Sequence, residues 1–210
     1  MASAQAAQAG VFTCNCVDKC ELNAGTTGGT VSLDRYVNRG AINSFQGTVM
    51  RIASTFENTV ENAVFTLDAD SSFEFSEGAS ASFALSATFE GAGSFRTMAG
   101  STITFAAHSS LKVPTELGGS VVVASHSVTF ESTLTVAGAN ALMHVQSGST
   151  LTASGPVSFT SASELRSTNG IMAFTSGLTM ASASKMALED TTMTVSVLTA
   201  QSSTMSFSRT

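Results

Sequence analysis

Between residues 149 and 191 the chain divides into six short segments, each with a few alternating apolar residues and nearly all ending in a small or turn-forming one. They read STLTASG (149–155), PVSFTSA (156–162), SELRSTNG (163–170), IMAFTSG (171–177), LTMASAS (178–184) and KMALEDT (185–191). Alternation over so few residues spells a strand with one buried face. The six segments form two sets of three, 149–170 and 171–191, of nearly equal length. Three short strands per unit of about 20 residues is the spacing of a parallel β-solenoid, whose units bury their apolar faces by stacking on one another.

A hairpin-built sandwich or barrel is the competing architecture. Antiparallel meanders need tight-turn dipeptides, and Asn-Gly or Asp-Gly occurs once, at Asn169-Gly170. Segments of the same texture run further upstream, among them SSFEFSEG (71–78), STITFAAHS (101–109) and SVVVASHS (120–127). The pattern therefore predicts an all-β parallel solenoid of about seven coils over residues 63–210. Residues 1–62 read differently, as an N-terminal arm and cap holding all three cysteines. Running across its end, Ile42, Phe45, Val49, Ile52, Phe56, Val60 and Ala63 recur at three- and four-residue spacing, the period of an amphipathic helix over 41–64. Gly47 and the β-branched Thr48, Val49, Ile52 and Thr55 argue for strand instead.

Residues 149–190 resemble the Ser/Thr/Ala/Gly-rich coils of right-handed parallel β-helix proteins, the pectin-lyase-like group. The resemblance extends over 63–210 and is one of fold texture; it implies a right-handed solenoid. Many members of that group are polysaccharide lyases or hydrolases, which need clustered carboxylates for calcium or for acid–base work. Here no Asp stands between Asp70 and Asp190, and the glutamates at 74, 77, 90, 116, 131 and 164 are isolated. Glu74 with Glu90, or Glu116 with Glu131, lie near one coil apart and could meet between coils. As solvated surface positions they predict no catalysis, so the chain reads as a non-enzyme without a cofactor.

Three further patterns stand out. Cys14, Cys16 and Cys20 are too closely spaced for a zinc ribbon, and no His lies near them. A small disulfide-closed loop with one thiol left over is the first reading, reduced thiols the second and a metal site the third. His108, His126 and His144 are evenly spaced, with each interval close to one coil, and predict a ladder of hydrogen-bonded imidazoles; a transition-metal or proton-sensitive site is its functional alternative. Thr-x-Thr triplets start at 102, 133, 150 and 192. Ranks of Thr on a flat solenoid face resemble ice-binding proteins, but the unequal spacing predicts no single regular rank.

Partners follow from charge and from the chain's last segments. A net charge of −6 with scattered Lys and Arg gives no footprint for nucleic acid. No apolar run approaches the ~20 residues of a membrane span. Residues 1–10 have neither the basic nor the apolar region of a signal peptide. With 33 serines and 28 threonines the exterior is hydroxyl-coated, and only 11% of residues are charged, against roughly 25% in ordinary domains. Such a surface suits packing against other subunits in a fibre, surface layer or large particle, outside the cell or on a particle surface. The alternation runs on through TMTVSV (192–197) and TMSFS (204–208), where a solenoid normally closes with a polar cap. Either more solenoid follows, or another subunit covers this end, with Met205 and Phe207 near the centre of the contact. The competing function is a binding module for carbohydrate or ice on one flat face; a polysaccharide lyase or hydrolase ranks third.

Overall fold

The computed structural model describes residues 2–4, 11–13, 19–22, 29–38, 41–44, 47–181 and 183–209. Six strands precede Ala63: β1 (Ala2–Ala4), β2 (Val11–Thr13), β3 (Lys19–Leu22), β4 (Gly29–Asn38), β5 (Ala41–Ser44) and β6 (Thr48–Asn58). The first full coil is β7 (Ala63–Leu67), β8 (Ser72–Phe75) and β9 (Ser80–Phe83). The next two are β10 (Ala87–Gly91), β11 (Ser94–Thr97), β12 (Thr102–Phe105), then β13 (Ser109–Leu111), β14 (Thr115–Leu117), β15 (Ser120–Val123). A fourth and fifth follow as β16 (Ser127–Phe130), β17 (Leu134–Ala137), β18 (Leu142–Val145), then β19 (Thr150–Ala153), β20 (Val157–Thr160), β21 (Glu164–Thr168). The last two are β22 (Ile171–Phe174), β23 (Leu178–Met180), β24 (Lys185–Glu189), then β25 (Thr192–Val195), β26 (Leu198–Ala200), β27 (Thr204–Ser208).

Among the described residues every pairing is parallel and joins equivalent strands of successive coils, so the chain is a parallel β-solenoid with three faces. The first face carries the ladder β7-β10-β13-β16-β19-β22-β25, the second the β8 series and the third the β9 series. Seven coils lie between Ala63 and Ser208, as the segment lengths predict, and β5 with β6 adds one more before them. The boundary at 62/63 does not interrupt the ladders: Ile42 pairs with Phe65, and β6 pairs with both β8 and β9.

Of the two readings of 41–64, helix and strand, the strand reading holds. That stretch is β5 followed by β6, with Gly47 at φ 72° just before the second strand. The step of four from Ile52 to Phe56 fitted a helix because β6 turns between two faces there, whereas Val49 is half-exposed and off the core. Met50 and Ile52 are buried beside the second face and Phe56 and Asn58 beside the third, while 53–55 are exposed at the bend. An alternation interrupted by such a bend imitates a helical period. The β-branched residues in it favour the extended backbone.

The core is a column of inward residues, dominated by phenylalanine at the N-terminal end. Phe65, Phe73, Phe83 and Phe89 are fully buried and interlock. Further along, smaller Val, Leu and Met fill the interior, with Val121, Val145, Leu151 and Met172 fully buried. The corners take left-handed backbone at short polar residues, among them Asn62, Asp70, Asn169 and Asp190. Such residues tolerate that conformation through local hydrogen bonding.

Candidate functional site

Stacking in register turns isolated residues of the sequence into columns running up each face. On the second face Arg51 pairs with Glu74, Glu74 with Arg96, and Arg96 with Glu116. The signs alternate, and the ion pairs are close: Arg51 Nη2 to Glu74 Oε2 at 2.9 Å, Arg96 Nη1 to Glu74 Oε1 at 3.9 Å and Arg96 Nε to Glu116 Oε2 at 3.3 Å. Glu74 is nearly buried and also accepts a hydrogen bond from Ser72 Oγ at 2.8 Å. A carboxylate removed from water needs such partners. Beyond Glu116 the same column continues as Thr135, Ser158, Thr179 and Thr199.

The carboxylate pairs considered from the sequence do not meet. Glu74 and Glu116 lie on the second face, whereas Glu90 lies in β10 on the first, where Glu131 follows β16. Glu90 stands 3.6 Å from Lys112 Nζ, and Glu131 accepts a hydrogen bond from Ser110 Oγ at 2.8 Å. An open groove of about 460 Å³ flanks the second-face ladder, lined by Asp70, Glu74, Arg96 and Glu116 among others. Glu74, Arg96 and Glu116 serve one another there, and this ladder is the feature that reading the sequence alone missed.

His108 and His126 come together at the corner leading into the first face. Their ring centres are 5.0 Å apart, with planes at 75°. His108 Nδ1 lies 2.6 Å from Ser127 Oγ, and His126 Nδ1 lies 2.9 Å from the Ala106 carbonyl oxygen. His144 does not join them. It stands in β18 on the third face, between Val122 and Arg166. Equal spacing in sequence misleads here because coil length varies. Thr102 in β12 pairs with Ser120 in β15, but Ser120 pairs with Leu142 in β18, a longer step.

Burial, and after it the Arg166 guanidinium, hold the His144 imidazole below its ordinary value of 6.5, and Glu164 opposes them. The unfolded chain therefore takes up this proton at higher pH than the folded one. The stability gained from a neutral His144 is complete above about pH 6.5 and is lost as the pH falls from there through the folded value. An NMR titration should place the His144 midpoint below those of unfolded His peptides. Arg166→Gln should raise it part of the way, leaving the desolvation shift. A midpoint unmoved by that substitution would remove the electrostatic half of the explanation.

Cys14 and Cys16 lie outside the described residues. Cys20 falls in β3, of which only the backbone is described. The Thr-x-Thr triplets are spread over all three faces, in β12, at β17, in β19 and in β25. Residues from other segments complete a hydroxyl column on the first face, Thr88–Ser110–Thr129–Thr152, which continues through Ala173 to Thr194. Across the last three coils the outward positions of β19, β22 and β25 are Thr150, Thr152, Ile171, Ala173, Thr192 and Thr194, without a charge.

Met205 and Phe207 stand in β27, in the last rung. Phe207 is 65% exposed, Val197 62% and Leu198 39%. The register partners of β26 and β27 one coil earlier are core: Leu188 beneath Phe207, Leu178 beneath Leu198 and Met186 beneath Met205 are all buried. Met193, Val195 and Met205 are partly buried against the coil below. No helix among the described residues is long and apolar enough to cross a membrane. No family model matches the chain, and no curated protein or solved structure is significantly similar to it.

Proposed function

We propose that the chain is a structural, non-enzymatic subunit that assembles through its β25–β27 rung, within a fibre, surface layer or particle. The observation that carries this reading is the exposure of apolar side chains in the last rung: Leu198 and Phe207 continue columns that are buried one coil earlier, and Val197 is exposed beside them. What fits over such a rung is another parallel coil, since it must offer both strand edges and matching apolar side chains. We take that coil from a neighbouring subunit, the other source the sequence allows being further solenoid of the same polypeptide. The handedness is taken as right, by resemblance to the pectin-lyase-like β-helices. Their polysaccharide chemistry is not carried over, because Glu74, Glu90, Glu116 and Glu164 are each engaged by Arg or Lys. A hydroxyl-coated exterior of low charge suits an extracellular or particle surface.

Burying Phe207 contributes up to about 1.5–3 kcal/mol and the partly buried Met205 less than that, reduced by the cost of association. Sedimentation velocity should therefore show the full chain associating as concentration rises. The double substitution Met205→Lys, Phe207→Lys should give a monomer with an unchanged β circular dichroism spectrum. A wild-type chain that stays monomeric at high concentration would sink the reading.

The uncharged hydroxyl surface of β19, β22 and β25 favours a second reading, a module that binds carbohydrate or ice on its flat first face. The same double variant separates the two, because binding by that face survives loss of the rung contact.

A further inference from the structure

We propose that His108 and His126 form a binding site for one divalent transition-metal ion, with nickel, copper and zinc as the candidate class. The inference stands independently of the assembly reading. Both rings sit at one corner, held on successive coils by a parallel ladder in which Ser109 pairs with Val128. That stiff connection sets their separation before any ion arrives, which lowers the ordering cost of binding.

The hydrogen bonds decide which nitrogen is offered. His126 Nδ1 faces the Ala106 carbonyl oxygen, which can only accept, so Nδ1 carries the proton and Nε2 keeps its lone pair. His108 Nδ1 faces Ser127 Oγ, which accepts as readily as it donates, so the same tautomer is open to it. A metal-binding histidine characteristically donates its other ring N–H to a carbonyl or a similar acceptor, which fixes tautomer and orientation. Neither Nε2 has a hydrogen-bond partner among the described residues, and both side chains are exposed to arriving ions.

The spacing also fits. With metal–nitrogen bonds of ~2.0–2.1 Å, each ring centre lies about 3.2 Å from the ion, so two rings about 100° apart at the metal have centres about 5 Å apart. The observed separation is 5.0 Å, and the planes are crossed at 75° rather than stacked. No third His, Cys, Asp or Glu joins them, since no group of three that could hold a metal occurs among the described residues. Water therefore fills the remaining positions, and imidazole nitrogen selects Cu, Ni and Zn over Mg and Ca.

Nickel chloride titrated into the full chain, with its cysteines alkylated to silence the thiols, tests the site. Calorimetry should give one ion per chain, and NMR should show paramagnetic broadening centred on the His108 and His126 ring signals. His108→Gln and His126→Gln should each weaken binding at least tenfold, and His144→Gln should leave it within twofold. Both altered positions are exposed, and unchanged circular dichroism will confirm that the variants fold. Absence of stoichiometric binding, wild-type affinity in either single variant, or an equal loss in His144→Gln would overturn the proposal.

Discussion

Replacing Phe89 by alanine is expected to lower the unfolding free energy by about 3–5 kcal/mol. Phe89 is fully buried within the aromatic column. Its ring stacks on Phe65 at 4.4 Å and 12°, and meets Phe95 edge-on at 4.9 Å. Phe73 and Phe83 close the remaining sides, at 5.7 and 5.6 Å. Four rigid neighbours pinned to separate strands cannot collapse into the space a missing ring leaves, so the cavity term adds to the lost transfer energy. Phe207→Ala is the control. At 65% exposure it should cost under about 1 kcal/mol in the dilute chain. Urea melts followed by circular dichroism check both, and equal losses would show that the aromatic column is not close-packed.

Gly91→Ala is expected to destabilise by about 3 kcal/mol or more. Two constraints coincide there. The backbone holds φ at +111°, and a Cβ would collide with the Leu67 carbonyl oxygen and lie 2.9 Å from its carbon. Gly91 pairs with Leu67 across the first-face ladder, so relief would require separating β10 from β7. Gly78 isolates the conformational part alone: its φ is +73°, but nothing lies within 4 Å of an added Cβ. Gly78→Ala should cost only about 1–2 kcal/mol. Similar melting midpoints for the two variants would contradict the close approach of successive coils at Gly91.

How much of this could be read beforehand depended on how local each signal was. Strand alternation and corner chemistry are local, so segments such as 149–155 and 171–177 declared their strands and seven coils could be counted. Register is not local. The step between stacked strands is short where Thr102 pairs with Ser120 and longer where Ala63 pairs with Ala87. Arg51, Glu74, Arg96 and Glu116 are therefore spaced unevenly in sequence although they form one column. The same variation gave His144 a false place in the histidine ladder and hid the hydroxyl column that joins Thr88 to Thr152. The helical reading left open over 41–64 has a related cause, because β6 turns between two faces and its burial lapses at the bend.

Assembly would make the β25–β27 rung a contact surface, and amide hydrogen exchange reads that rung itself. In a parallel ladder half of an edge strand's N–H groups point away from its one neighbour and stay open until another strand pairs with them. Exchange followed by mass spectrometry, on peptides covering 192–208, should slow at least tenfold between dilute and concentrated protein. Peptides covering the interior strands β13 to β15 should show no such change. The Met205→Lys, Phe207→Lys variant should exchange rapidly in 192–208 at both concentrations. Exchange in 192–208 that is independent of concentration in the wild-type chain would contradict assembly through this rung.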